Sequence, residues 1–113
     1  MNNVKVDIVD DNKEVVFSCV IHKLTVALDA RRLDLTGEIL SRDVSDSTKG
    51  QLMSCAAFAA SFHNEDGELM YPEDDAADVI YNTMDARVYG KLCSAYLEVN
   101  PLETTLDAKK KKY

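Results

Sequence analysis

GQLMSCAAFAASF, residues Gly50 to Phe62, decides how this chain folds. Leu52, Cys55, Ala56, Ala59 and Phe62 recur at helical spacing, and Met53, Ala57, Phe58 and Ala60 fill the other sides. A helix that is apolar all round sits at the centre of its domain, so the neighbouring segments are expected to pack around this one. The surplus of apolar faces also raises a second expectation. Met53, Phe58 and Ala60 would meet another subunit, with Met53 and Phe58 as candidate interface residues of a homo-oligomer.

C-terminal to it runs SFHNEDGELMYPEDDAADVIYNTMDARVYGKLCSAYLEVNPLE, Ser61 to Glu103. Asn64-Glu65-Asp66-Gly67 reads as a tight turn, since Asn and Asp tolerate left-handed backbone angles and Gly adopts them without a Cβ clash. Pro72 suits the first turn of a helix, and Glu73, Asp74 and Asp75 are expected in that turn, at the positive end of the helix dipole. A further helix is expected from about Met84 to Val99. Its apolar face comprises Val88, Leu92, Ala95, Tyr96 and Val99, and Asn100-Pro101 ends it. Tyr81, Tyr89 and Tyr96 could line a contact surface or cap the core with their hydroxyls in water; Tyr81 and Tyr89 join Met53 and Phe58 as interface candidates.

N-terminal to the apolar helix, Val4, Val6 and Ile8 alternate with Lys5 and Asp7, and Val15, Phe17, Cys19 and Ile21 alternate with Val16, Ser18 and Val20. Period-two patterning on either side of Asp10-Asp11-Asn12-Lys13 predicts a β-hairpin. Two strands alone are marginal in water, so helices must cover them. From Leu24 to Ser41 the stripe Leu24, Leu28, Leu35, Ile39 predicts a helix that bends or divides at Thr36-Gly37, and Asp43 to Ser47 a polar connector. The expected fold class is therefore α+β, predominantly helical: an N-terminal β-hairpin followed by about four helices around a central apolar helix. Residues 1-106 make one globular domain, and 107-113 a basic tail without structure.

With 113 residues, 46% of them hydrophobic and 29% charged, the chain has the composition of an ordinary globular protein. Its net charge of −7 repels phosphate backbones, so no nucleic-acid partner is expected. No apolar stretch approaches the roughly 20 residues a membrane span needs, and Met1-Asn2-Asn3-Val4 lacks a signal-peptide core, so neither a membrane partner nor export is expected. Cys19, Cys55 and Cys93 are an odd number in apolar contexts. They read as buried reduced thiols in a cytoplasm.

No enzyme is expected, and no cofactor. The four glycines, Gly37, Gly50, Gly67 and Gly90, cannot form a phosphate loop, and there is no nucleophile elbow. His22 and His63 have no metal-ligand partner at suitable spacing. Asn64, Asp66, Gly67, Leu69 and Glu73 fall at positions of a calcium loop, but Phe62 stands where its first carboxylate belongs, so no metal is assigned.

One resemblance can be drawn from the order of the motifs. A small-residue helix (Ala56 to Phe62) precedes an Asp-Gly turn with a short strand (Glu65 to Tyr71). Pro72-Glu73-Asp74 at a helix start and a helix ending Tyr96-Leu97-Glu98-Val99-Asn100 follow. This order resembles the tail assembly chaperones of long-tailed, siphovirus-type bacteriophages over roughly residues 15 to 103. The first 40 residues match only as a hairpin followed by a polar helix. The resemblance implies a non-catalytic scaffold that binds tape measure protein and tail tube protein during tail morphogenesis in the host cell cytoplasm and is absent from the mature virion. Such proteins are typically made in two lengths by a backward ribosomal slip. Lys109 to Lys112, encoded by an adenine-rich tract, could mark the slip site, which would make this chain the shorter product. Two other classes remain open: a small acidic regulator or inhibitor masking a basic partner through Glu65 to Asp78, and a structural head–tail connector.

Overall fold

The computed structural model describes residues 3–102. Its elements are β1 (Asn3–Val9), β2 (Val15–His22), α1 (Val26–Leu40), α2 (Asp46–Ser61), β3 (Phe62–His63), α3 (Ala76–Thr83) and α4 (Ala86–Val99), an α+β fold. The antiparallel sheet has the order β1-β2-β3. The basic tail expected at 107-113, with Lys109 to Lys112, lies outside the described residues.

The hairpin register follows the alternation. Val4 pairs with Ile21, Val6 with Cys19 and Ile8 with Phe17, which places one apolar set on one face. Asp10 closes the turn: its carboxylate accepts from the backbone of Asn12 (2.9 Å) and Glu14 (3.0 Å), while Lys13 takes the left-handed angle, φ 68°. The turn after β3 is built the same way, with Asn64 accepting from Asp66 (2.9 Å) and Glu68 (3.0 Å) and Gly67 at φ 86°.

α2 is the centre, as its all-round apolarity requires. It contacts α1 and α3, and every residue from Cys55 to Ser61 is buried. Ser45 caps its start by accepting from Thr48 (3.1 Å). α4 begins at the cap Asp85, which accepts from Arg87 (2.9 Å) and Val88 (3.3 Å), and it packs on β1 and β2. All three phenylalanines join one aromatic cluster. Phe58 stacks on Phe62 at 4.6 Å, Phe62 meets Phe17 at 6.3 Å, and Tyr89 and Tyr96 tilt onto Phe58 at 5.6 and 5.9 Å.

Besides the connector expected at Asp43 to Ser47, which ends at the cap Ser45 because α2 opens at Asp46, three local expectations need correction. Helix α2 stops at Ser61, and Phe62–His63 form a third strand on β2, with Ile21 opposite Phe62. Satisfying the open edge of β2 outweighs one more helical turn. Secondly, Pro72 to Asp75 precede α3 rather than opening it. The Arg31 guanidinium donates to the carbonyls of Tyr71 (2.6 Å) and Glu73 (3.1 Å), and the Glu73 carbonyl also accepts from the Ala76 N–H (3.2 Å), so this segment is held against α1 as a turn leading into α3. Asp75 is the cap residue, without a side-chain cap bond, and Asp78 is the acid of the first turn.

The third correction is α1, which runs unbroken through Thr36-Gly37. A Cβ added at Gly37 would meet nothing within 4 Å. Gly37→Ala is therefore expected to stabilise the free chain by about 0.5–1 kcal/mol, because it restricts the unfolded chain and has open space in the folded one. Urea denaturation followed by far-ultraviolet circular dichroism measures this; a loss of stability would mean that the helix does bend there.

α1 is fastened to α3 at its end. Arg42 makes a two-pronged contact with Asp78 (2.6 and 2.8 Å) and a second contact with Glu38. The hydrogen bond from Arg42 holds the Asp78 carboxyl below its ordinary value. A depressed carboxylate stabilises the fold above its unfolded pKa, and the contribution is lost as pH falls through the folded one. Because the Asp78 side chain is a third exposed (33%), Asp78→Asn is expected to cost only about 1 kcal/mol at pH 7. The difference between the two proteins should vanish in acid, below the ordinary carboxylate range near pH 4. Paired urea titrations at pH 7 and pH 3 check the sign.

Candidate functional site

α1 carries two apolar faces on opposite sides. Leu28, Leu35 and Ile39 face inward; Ile39 is 1% exposed, and Leu35 packs against the core. The opposite face bears Val26, Ala30, Leu33, Gly37 and Leu40, at alternating steps of four and three residues, and Val44 continues it beyond the helix. All of these are exposed: Val26 is 90% accessible, Leu33 54% and Leu40 53%. Steps of three and four keep a seam on one side of a helix with 3.6 residues per turn, the pattern by which helices pair. At Ala30 and Gly37 the surface of the seam drops almost to the backbone, which lets another helix come close.

Beside this face lies an open groove of about 490 Å³ between α1 and α3, lined by Ala27, Ala30, Asp34, Glu38, Asp74 and Asp78 among others. Arg31 and Arg42 also reach it, but their guanidinium groups are committed, the first to the Tyr71 and Glu73 carbonyls and the second to Glu38 and Asp78. The Arg31 Nε is buried without a partner among the described residues. On the other flank Arg32 is taken up by Asp29, at 2.7 Å. Among the described residues Asp34 and Asp74 are in no ion pair. The groove is therefore acidic beside an apolar seam.

The residues expected at an interface do not form one surface. Phe58 is 1% exposed and wholly inside its own subunit, a correction whose cause is the aromatic cluster that closes over it. Met53 and Tyr89 are half-buried against the core. Tyr81 is 40% exposed, and nothing joins it to the α1 seam. Sequence reasoning missed that seam, although its four-three spacing was legible. The inward stripe of the same helix had already accounted for a helix, and the glycine in the outer seam read as a break.

Elsewhere the chemistry is structural. Burial pushes the Cys19 and Cys55 thiols up to about 12, so they stay protonated at neutral pH. His22 and His63 stack at 3.6 Å. His63 Nδ1 donates to the Ser61 carbonyl (2.9 Å), while burial and then the His63 charge lower the His22 pKa. The His22 carbonyl accepts from Ser61 Oγ (2.7 Å) and Asn100 Nδ2 (3.1 Å), and Asn100 Oδ1 accepts from Leu24 N–H (2.8 Å), so this corner ties the end of α4 to the start of α1. The Asn64 loop that matched calcium spacing spends its side-chain oxygen on two backbone amides, and Phe62 lies in the core. A cleft of about 610 Å³ between the hairpin tip and the α3–α4 junction mixes Asp10, Asp11 and Asp85 with Arg87 and Lys91, without a convergent set. Among the described residues no helix is long and apolar enough to cross a membrane.

Comparison with protein-family models, with curated proteins and with solved structures finds no match for this chain.

Proposed function

We propose that the chain is a non-catalytic binding scaffold, and that its biological setting is the one its motif order resembles, tail assembly in a long-tailed bacteriophage. In this reading it holds the tape measure protein and the tail tube protein during morphogenesis in the host cytoplasm. It is left out of the finished virion, and it is the shorter product of a frameshifted pair. The observation that supports a binding role is the outer face of α1, where Val26, Leu33 and Leu40 stand in solvent on a helix whose other side is already packed. A monomer gains nothing from placing these side chains at seam spacing on its surface.

Co-expression with candidate tape measure and tail tube proteins, followed by affinity capture, tests the role. Capture of either protein by the wild type, and its loss on Leu33→Gln/Leu40→Gln, is the expected result. Recovery of the chain from purified particles would instead make it a structural component. An intact N-terminal domain seen in one length only, from a gene without a slippery adenine tract at Lys109 to Lys112, would remove the frameshift part.

A further inference from the structure

We propose that the outer face of α1 docks one amphipathic helix of a partner protein, apolar along its seam and flanked by lysine or arginine. This deepens the scaffold reading and rests on it only in taking α1 as the binding face; the phage setting plays no part. The shape argument comes first. α1 spans ~22 Å, two repeats of the four-three pattern, and Ala30 and Gly37 alternate with Val26, Leu33 and Leu40, so small positions receive what large ones displace. Gly37 has open space and a shape cost in the free chain, which the close approach of another backbone would offset.

Charge selects the occupant. Asp34 flanks the seam on one side and the adjoining groove adds Asp74, both outside any ion pair among the described residues, while the other flank carries Asp29 already paired with Arg32. The three arginines of the segment are spent within the subunit, and α1 has no lysine. A second copy of this chain would supply no free cation from α1 to meet Asp34 and Asp74, since Arg32 is held by Asp29, and would bring together bodies of net charge −7. A helix with basic flanks meets carboxylates instead, and the α1–α3 groove has room for a long cationic side chain to lie along Ala27 and Ala30 and end at Asp34 and Asp74.

The test uses the full chain and two synthetic three-heptad helices, with leucine at the seam positions and either lysine or glutamate on both flanks. Fluorescence anisotropy should show the lysine peptide binding at least about tenfold more tightly than the glutamate peptide, with affinity falling as salt rises. Leu33→Gln/Leu40→Gln, which leaves the charge unchanged, should weaken the lysine peptide about tenfold or more at an unchanged melting temperature. Asp34→Lys/Asp74→Lys should reverse the preference between peptides. Equal binding of the lysine peptide to the Leu33→Gln/Leu40→Gln protein would reduce the effect to general attraction by an acidic protein and overturn the proposal. Light scattering that finds a dimer broken by the same pair of substitutions would overturn it in favour of a second copy. A tenfold gain in peptide affinity when Lys109 to Lys112 are replaced by glutamine would overturn it in favour of the chain's own basic segment. Binding of the lysine peptide as expected, with no capture of tail proteins, would uphold this inference while removing the phage reading.

Discussion

Phe58→Ala is expected to cost about 3–5 kcal/mol, a large part of the roughly 5–15 kcal/mol that holds a domain of this kind together. The side chain is 1% exposed and lies among three aromatic partners: it stacks on Phe62 at 4.6 Å, and Tyr89 and Tyr96 tilt onto it. Removing the ring loses its transfer energy, leaves a cavity that two backbone-anchored helices and a strand cannot close, and deprives three neighbours of their contacts. Phe58→Leu, which keeps much of the volume, should cost less, on the order of 1.5 kcal/mol. Urea titration by far-ultraviolet circular dichroism measures both, since the chain has no tryptophan to report. A Phe58→Ala protein of nearly wild-type stability but altered molecular mass would return Phe58 to the role of intersubunit contact.

That outcome separates what was legible in the chain from what was not. The hairpin could be read because a strand with one buried face leaves an alternating record, and Asp10 and Asn64 announce turns through the short side chains that close them. The central helix could be read because no face of Gly50 to Phe62 is polar enough for water. Which of its apolar residues face a partner could not be read. Apolarity is the same whether α4 of the same subunit or a second molecule covers it, and the contact of Phe58 with Tyr89 and Tyr96 joins residues more than thirty positions apart.

The remaining differences have the same physical origin. The third strand depends on an edge of β2 that exists only once the hairpin has formed, and the turn before α3 is held by Arg31 reaching across from α1. On α1 the inward and outward stripes interleave along the sequence, and the pattern alone does not say which is packed. Burial of Ile39 and exposure of Leu33 decide it. The candidate site was thus present in the sequence as spacing and absent as meaning.

Leu92 and Leu33 turn that distinction into an experiment, because the two residues are the same in chemistry and opposite in environment. Leu92 is 0% exposed on the face of α4 that covers β1 and β2, beside Val88 at 8%. Leu92→Ala is expected to destabilise the fold by about 2–5 kcal/mol through lost transfer energy and a residual cavity. At the scale usual for a domain of about a hundred residues, that is a fall in melting temperature of roughly 8 °C or more. Any loss of partner binding should then track unfolding and recover at lower temperature. Leu33→Ala, at a position 54% exposed, should leave the melting temperature within about 3 °C, and its effect should fall on binding alone. The pair is informative because each residue controls for the other. If Leu92→Ala kept its melting temperature and lost binding, α4 would be the working surface and its packing on the sheet would be secondary. If Leu33→Ala unfolded the chain, the outer face of α1 would be covered within the subunit, and no partner would be needed to explain its spacing.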